Sequence, residues 1–163
     1  MQPKTLDHVA FWVAEREPLV DFATRHLGMH VVDRQDAFTL IGSDARRGKL
    51  TLFEAEGPRE PGALKHVALR VSDLERARAD LPDGAGEDVE LGEGVHVKLV
   101  EAPTEVEYDL DHVALYTRDP AASAREYTKL GFAAAEPSKE GNPRVEAVLH
   151  EVIAARRAPN PSA

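Results

Sequence analysis

Apolar and polar positions along residues 6–13 follow a period of two, with Leu6, His8, Ala10 and Trp12 on one face of a strand and Val9, Phe11 and Val13 on the other. Apolar side chains on both faces predict a strand buried on both sides. The period then changes. Leu19, Val20, Phe22, Ala23 and Leu27 recur at helical spacing over 15–27, with Pro18 in the first turn and Gly28 at the stop. Three short β-rich runs follow at 30–34, 38–42 and 49–55, separated by Asp, Gly and Ser turn formers. The predicted order is βαβββ.

The same order returns twice. The phrase Leu6-Asp7-His8-Val9-Ala10 is echoed by Leu64-Lys65-His66-Val67-Ala68 and by Leu110-Asp111-His112-Val113-Ala114. Each is followed at a distance by an apolar run closing on Glu, at Glu54, Glu101 and Glu151. A repeat of this length is a supersecondary unit that buries its apolar face against a neighbouring copy. In the second copy, Ser72 and Glu75 have capping-box spacing before a short helix ended by Pro82-Asp83-Gly84, and strands are expected at 88–91 and 95–100. In the third, Asp119 and Pro120 mark a helix start and Gly131 its end, with a later strand at 144–150. The modules are bounded at 1–62, 63–105 and 106–163, with a polar linker at 102–108. The first two are expected to pair, leaving the third either incomplete or paired across a homodimer.

With 42% hydrophobic residues among 163, the chain can bury a core, which sets disorder aside. A net charge of −9 without a basic run argues against nucleic acid. No apolar stretch reaches membrane-spanning length and no secretory pattern opens the chain, so a cytoplasmic protein without a membrane partner is expected. Cysteine is absent, so only His, Asp and Glu remain as metal ligands. Of the other histidines, His26 and His30 are split by Gly28, while His96 and His150 alternate out of phase with their apolar neighbours and read as outer-layer residues. Trp12 and Tyr116, each four residues after a repeat histidine, are either core aromatics, the preferred reading for each alone, or residues lining a substrate site.

The three phrases and their paired glutamates resemble the vicinal oxygen chelate superfamily, which includes glyoxalase I, extradiol dioxygenases, methylmalonyl-CoA epimerase and the bleomycin and fosfomycin resistance proteins. The resemblance implies an α+β fold in which paired βαβββ modules form a cup-shaped curved sheet with helices outside. It implies a divalent metal (Zn, Ni, Co, Mn or Fe(II)) on His8, Glu54, His66 and Glu101, with Glu101 as base and Glu54 the other candidate. The order His, Glu, His, Glu resembles glyoxalase I and implies a metal-dependent lyase or isomerase acting on a small molecule with vicinal oxygens. An extradiol-type ring-cleaving dioxygenase and a metal-free drug- or metabolite-binding protein are the alternatives. His112 and Glu151 would form a site only across a dimer.

Overall fold

The computed structural model of the protein describes residues 6–60, 62–139 and 141–147. Its element order is β1 (His8–Val13), α1 (Arg16–His26), β2 (His30–Arg34), β3 (Phe38–Gly42), β4 (Lys49–Glu54), β5 (Leu64–Val71), α2 (Leu74–Ala79), β6 (Asp88–Gly92), β7 (Val95–Glu101), β8 (Asp109–Leu115), α3 (Pro120–Lys129), β9 (Phe132–Ala135) and β10 (Arg144–Ala147). The fold is α+β and is built of βαβββ-type modules, as the periodicities predict. Among the described residues no helix is long and apolar enough to cross a membrane.

One four-stranded sheet has the order β1-β4-β3-β2 and the other β6-β7-β5-β8. In both, the first strand of a module runs parallel to its last, β1 with β4 and β5 with β7. Parallel neighbours need a long crossover, and α1 and α2 supply it. The apolar faces of the two sheets and the inner sides of the helices form a single core. From the first module come Phe11, Val13, Leu19, Ala23, Leu50 and Leu52, and from the second Val67, Leu69, Val97 and Leu99, all buried. Each of these Val, Leu and Phe side chains contributes roughly 1.5–3 kcal/mol when removed from water. Gly92 lets Leu19 of α1 rest on the β6–β7 hairpin, since a Cβ there would lie 3.1 Å from the Leu19 side chain.

Three local expectations change. β1 buries only Phe11 and Val13 fully, with His8, Ala10 and Trp12 exposed, because it is an edge strand with one face uncovered. Trp12 and Tyr116 are 61% and 65% exposed rather than core residues. The cap of α2 is Asp73, whose carboxylate accepts from the Arg76 N–H at 2.9 Å, so the Ser72 and Glu75 box does not form. At α3 the expected Asp119 cap holds, accepting from the Ala122 N–H at 2.9 Å.

Leu6–Tyr116 forms one compact unit, and the chain from Thr117 onward belongs to another. The compact boundary therefore lies past the expected division at 105/106. The first strand of the third module, β8, completes the sheet of the second by pairing antiparallel with β5. In the unit beginning at Thr117, α3 is followed by the antiparallel pair β9–β10, with Tyr127 edge-on to Phe132 at 5.6 Å. The expected strand end at 148–150 and Glu151 lie outside the described residues.

Candidate functional site

The pairing of β5 with β8 decides which histidines meet. Val67 lies opposite Val113, His66 opposite Ala114 and Ala68 opposite His112, so the repeated phrase pairs with itself about a local two-fold axis. With side chains alternating, both histidines emerge on the sheet face away from the core. Their Nε2 atoms are 3.5 Å apart and the rings meet edge to face at 5.5 Å. His112 Nδ1 donates to Asp111 Oδ2 at 2.6 Å, and Asp111 also receives Arg70 at 2.8 Å. The bonds from His112 and Arg70 hold the Asp111 carboxyl below the usual range against the effect of its burial. His66 is only 8% exposed. Burial lowers its pKa, and the neighbouring His112 and Lys98 lower it further, so the ring is kept neutral. Its Nδ1 is buried without a hydrogen-bond partner among the described residues.

Strand β7 adds His96 and Lys98 to this face, since Lys98 is in register with Ala68 and Val97 with Val67. His96 thus alternates onto the histidine face rather than an outer layer, with Nδ1 3.0 Å from Asp88. The sheet of the first module carries aromatics in the corresponding place. Trp12 stacks on Phe53 at 4.9 Å, and Phe53 meets Phe38 at 5.7 Å.

The four expected ligands are not brought together. His8 begins β1, its side chain half-exposed and 2.9 Å from Asp7. Glu54 is in register with Val13 at the other end of β1, roughly 16 Å along a strand and on the opposite face. Its carboxylate instead receives Arg16 at 3.0 Å. His66 and Glu101 are separated in the same way, because Glu101 is in register with Val71. The faces carrying Leu50 with Leu52 and Val97 with Leu99, which the two glutamates share, are core faces and not the open ones. Among the described residues no three His, Asp or Glu side chains converge on a metal position.

Two do converge as a pair. Nitrogen ligands at about 2.0–2.1 Å from a shared tetrahedral ion sit about 3.4 Å apart, close to the His66–His112 separation. The Asp111 carboxylate on His112 Nδ1 is the outer-shell partner that orients a metal-binding imidazole with Nε2 free. Sequence reasoning gives His112 a site only across a dimer, because the third module has no second half in the chain and the pairing of β8 with β5 is invisible in a linear reading. The available signal was the identity of the phrases, which allows two copies to pair about their central valines.

Residues 5–105 match the model of the Glyoxalase/Bleomycin resistance protein/Dioxygenase superfamily. No curated protein matches the chain in sequence. Among solved structures, a putative dioxygenase from Bacillus subtilis is similar at 15% identity and a TM-score of 0.65, covering 90% of this chain and 64% of that one. Glyoxalase I from Zea mays is similar at 16% identity and a TM-score of 0.64, covering 89% of this chain and 66% of that one. The chain thus spans just under two thirds of the length of these proteins, and at such identities the likeness is one of fold.

Proposed function

Because the chain belongs to the Glyoxalase/Bleomycin resistance protein/Dioxygenase superfamily, we propose that it acts on a small molecule at the open face of the β6-β7-β5-β8 sheet, as a metal-dependent lyase or isomerase of the glyoxalase kind. The observation that carries this reading is the pair of imidazoles whose Nε2 atoms are 3.5 Å apart. A divalent ion of the Zn, Ni, Co, Mn or Fe(II) class bound there would supply Lewis acidity toward two adjacent substrate oxygens. The chain's own residues have separate tasks. Asp111 fixes the tautomer of His112, and Arg70 holds Asp111 in place. His66 stays neutral because it is buried beside other cationic groups. Lys98 offers a positive charge to a substrate oxygen. His96, with Nδ1 toward Asp88, is equipped to accept a proton at Nε2. Glu54 and Glu101 have no place at this centre.

Metal content and affinity of the native chain should be compared with those of His66→Ala, His112→Ala, His8→Ala and Glu101→Ala. Loss of metal in the first two, with retention in the last two, supports the reading. Loss in His8→Ala and Glu101→Ala with retention in His112→Ala overturns it in favour of the set His8, Glu54, His66 and Glu101. Oxygen uptake by the iron-loaded chain with a catechol would instead favour the ring-cleaving dioxygenase.

A second reading, metal-free binding of a flat apolar ligand, is favoured by the exposed Trp12 stacked on Phe53. Trp12 is the chain's single tryptophan, so its fluorescence reports directly on such a ligand. Quenching by planar compounds that survives His66→Ala would support it.

A further inference from the structure

Between α2 and the segment 104–108 lies a groove of about 400 Å³, a size in the range of small-molecule sites. Val71 and Ala77, both buried, give it an apolar floor. Val71 lies five residues along β5 from His66, about 16 Å, and on the other face, so the groove is separate from the imidazole pair. Tyr108 also lines it and is 2% exposed, yet among the described residues its hydroxyl makes no hydrogen bond. A buried phenol ordinarily has a partner. Burial first, then the Glu107 and Asp80 carboxylates, push its pKa up to about 12, so it stays a neutral donor and acceptor.

Arg76, Asp80 and Glu107 line the same groove, and no ion pair joins their side chains to one another or to any other described residue. The remaining carboxylates there are committed, Asp73 to the Arg76 N–H at 2.9 Å and Glu105 to Arg47 at 3.3 Å. The walls are held by the first module. His26 Nδ1 donates to the Asp80 carbonyl at 2.7 Å, and the Tyr108 N–H donates to Ser43 Oγ at 3.0 Å. Glu107 lies against the backbone of Gly28, where a Cβ would come within 2.7 Å of its carboxylate. Arg76 and Asp80 stand four residues apart on one helical face, which sets their Cβ atoms about 5–6 Å apart. Unpaired charges of both signs over an apolar floor fit a ligand that carries both signs on one carbon. We infer that the groove binds a free α-amino acid with an aliphatic side chain. Its carboxylate meets Arg76, its ammonium donates to Asp80, Glu107 and the Tyr108 hydroxyl, and its side chain rests on Val71 and Ala77. A bare metal ion fits less well, because among the described residues no three imidazoles or carboxylates converge there.

The test is titration calorimetry of the full chain at neutral pH with L-leucine and with its two halves, isoamylamine and 4-methylpentanoate. Leucine should bind, and each half should bind at least about tenfold more weakly, since each lacks one charge-assisted contact. Arg76→Gln and Asp80→Asn, exposed positions that leave the Asp73 cap in place, should each weaken leucine about tenfold with unchanged circular dichroism. Arg76→Gln should also abolish the preference for leucine over isoamylamine. Tyr108→Phe, which keeps the packed ring, should weaken leucine by a smaller factor. His112→Ala should bind leucine as the native chain does, so failure of the metal reading at the imidazole pair would leave this result standing. Absence of leucine binding at millimolar concentration, isoamylamine binding as tightly as leucine, or an affinity unchanged in both Arg76→Gln and Asp80→Asn overturns the proposal.

Discussion

Glu93 occupies the tight turn between β6 and β7 with φ of 50°, a left-handed conformation that costs a non-glycine residue about 1 kcal/mol. Its carboxylate explains why glutamate is tolerated there. Oε2 accepts the Ala14 and Arg59 N–H groups at 2.9 and 3.1 Å, and Oε1 accepts the Glu15 N–H at 2.8 Å. Glu15 is the N-cap of α1 and makes no side-chain cap of its own, so a turn of the second module satisfies the backbone entering the first helix. Three bonds to a partly exposed carboxylate at about 1 kcal/mol each give about 3 kcal/mol. Glu93→Ala should therefore lower the unfolding free energy by about 3 kcal/mol, the turn strain being retained. Glu93→Gly removes the same bonds and the strain, and should be about 1 kcal/mol more stable than Glu93→Ala. Glu93→Gln keeps one carbonyl oxygen for two of the N–H groups and should lose about 1–2 kcal/mol.

The series would be read by urea denaturation at neutral pH, with the slope checked for constancy. Desolvation raises the Glu93 pKa, but the Ala14, Glu15 and Arg59 bonds outweigh it and hold the group below 4.5. A depressed carboxylate stabilises the fold above its unfolded pKa, and this part is lost as pH falls from about 4.5 through the folded value. The gap between native chain and Glu93→Gln should therefore narrow in acid. A Glu93→Ala variant within about 0.5 kcal/mol of the native chain, or less stable than native by no more than Glu93→Gly, would refute the clamp.

At Gly48, with φ of 63°, an added Cβ would run into the Tyr108 carbonyl oxygen, so Gly48→Ala should destabilise by at least about 2 kcal/mol through clash and left-handed strain together, measured by thermal unfolding. His66, its pKa lowered from 6.5, resists protonation in the fold while the unfolded chain does not. Its contribution is complete above pH 6.5 and falls as pH drops below that value, so His66→Phe should flatten the stability profile on that side; an unchanged profile would contradict the buried neutral ring.

Most of the elements were legible locally. β2 and β3 have the bounds the alternation predicts, and α1 spans Arg16–His26 within the expected 15–27. Gly28, at φ of 57°, stands where the helix stop was expected. These features depend on neighbours within a few residues, so period, caps and turn formers carry them. The site was legible only in part, as repeated histidines. Whether Glu101 shares a face with His66 depends on register between β5 and β7, and whether His112 reaches His66 depends on β8 choosing the free edge of β5. Those are long-range backbone pairings, and a glutamate five places out of register looks the same in a linear chain as one in contact.

What the sequence determined by itself was the βαβββ order, the repetition and the choice of histidine and carboxylate as the available chemistry, because these follow from side-chain period and composition. What the tertiary structure decided was which copies share a sheet, which face is buried and which histidines converge. A strand edge pairs by backbone hydrogen bonds common to all residues, and only the packed core selects among those pairings.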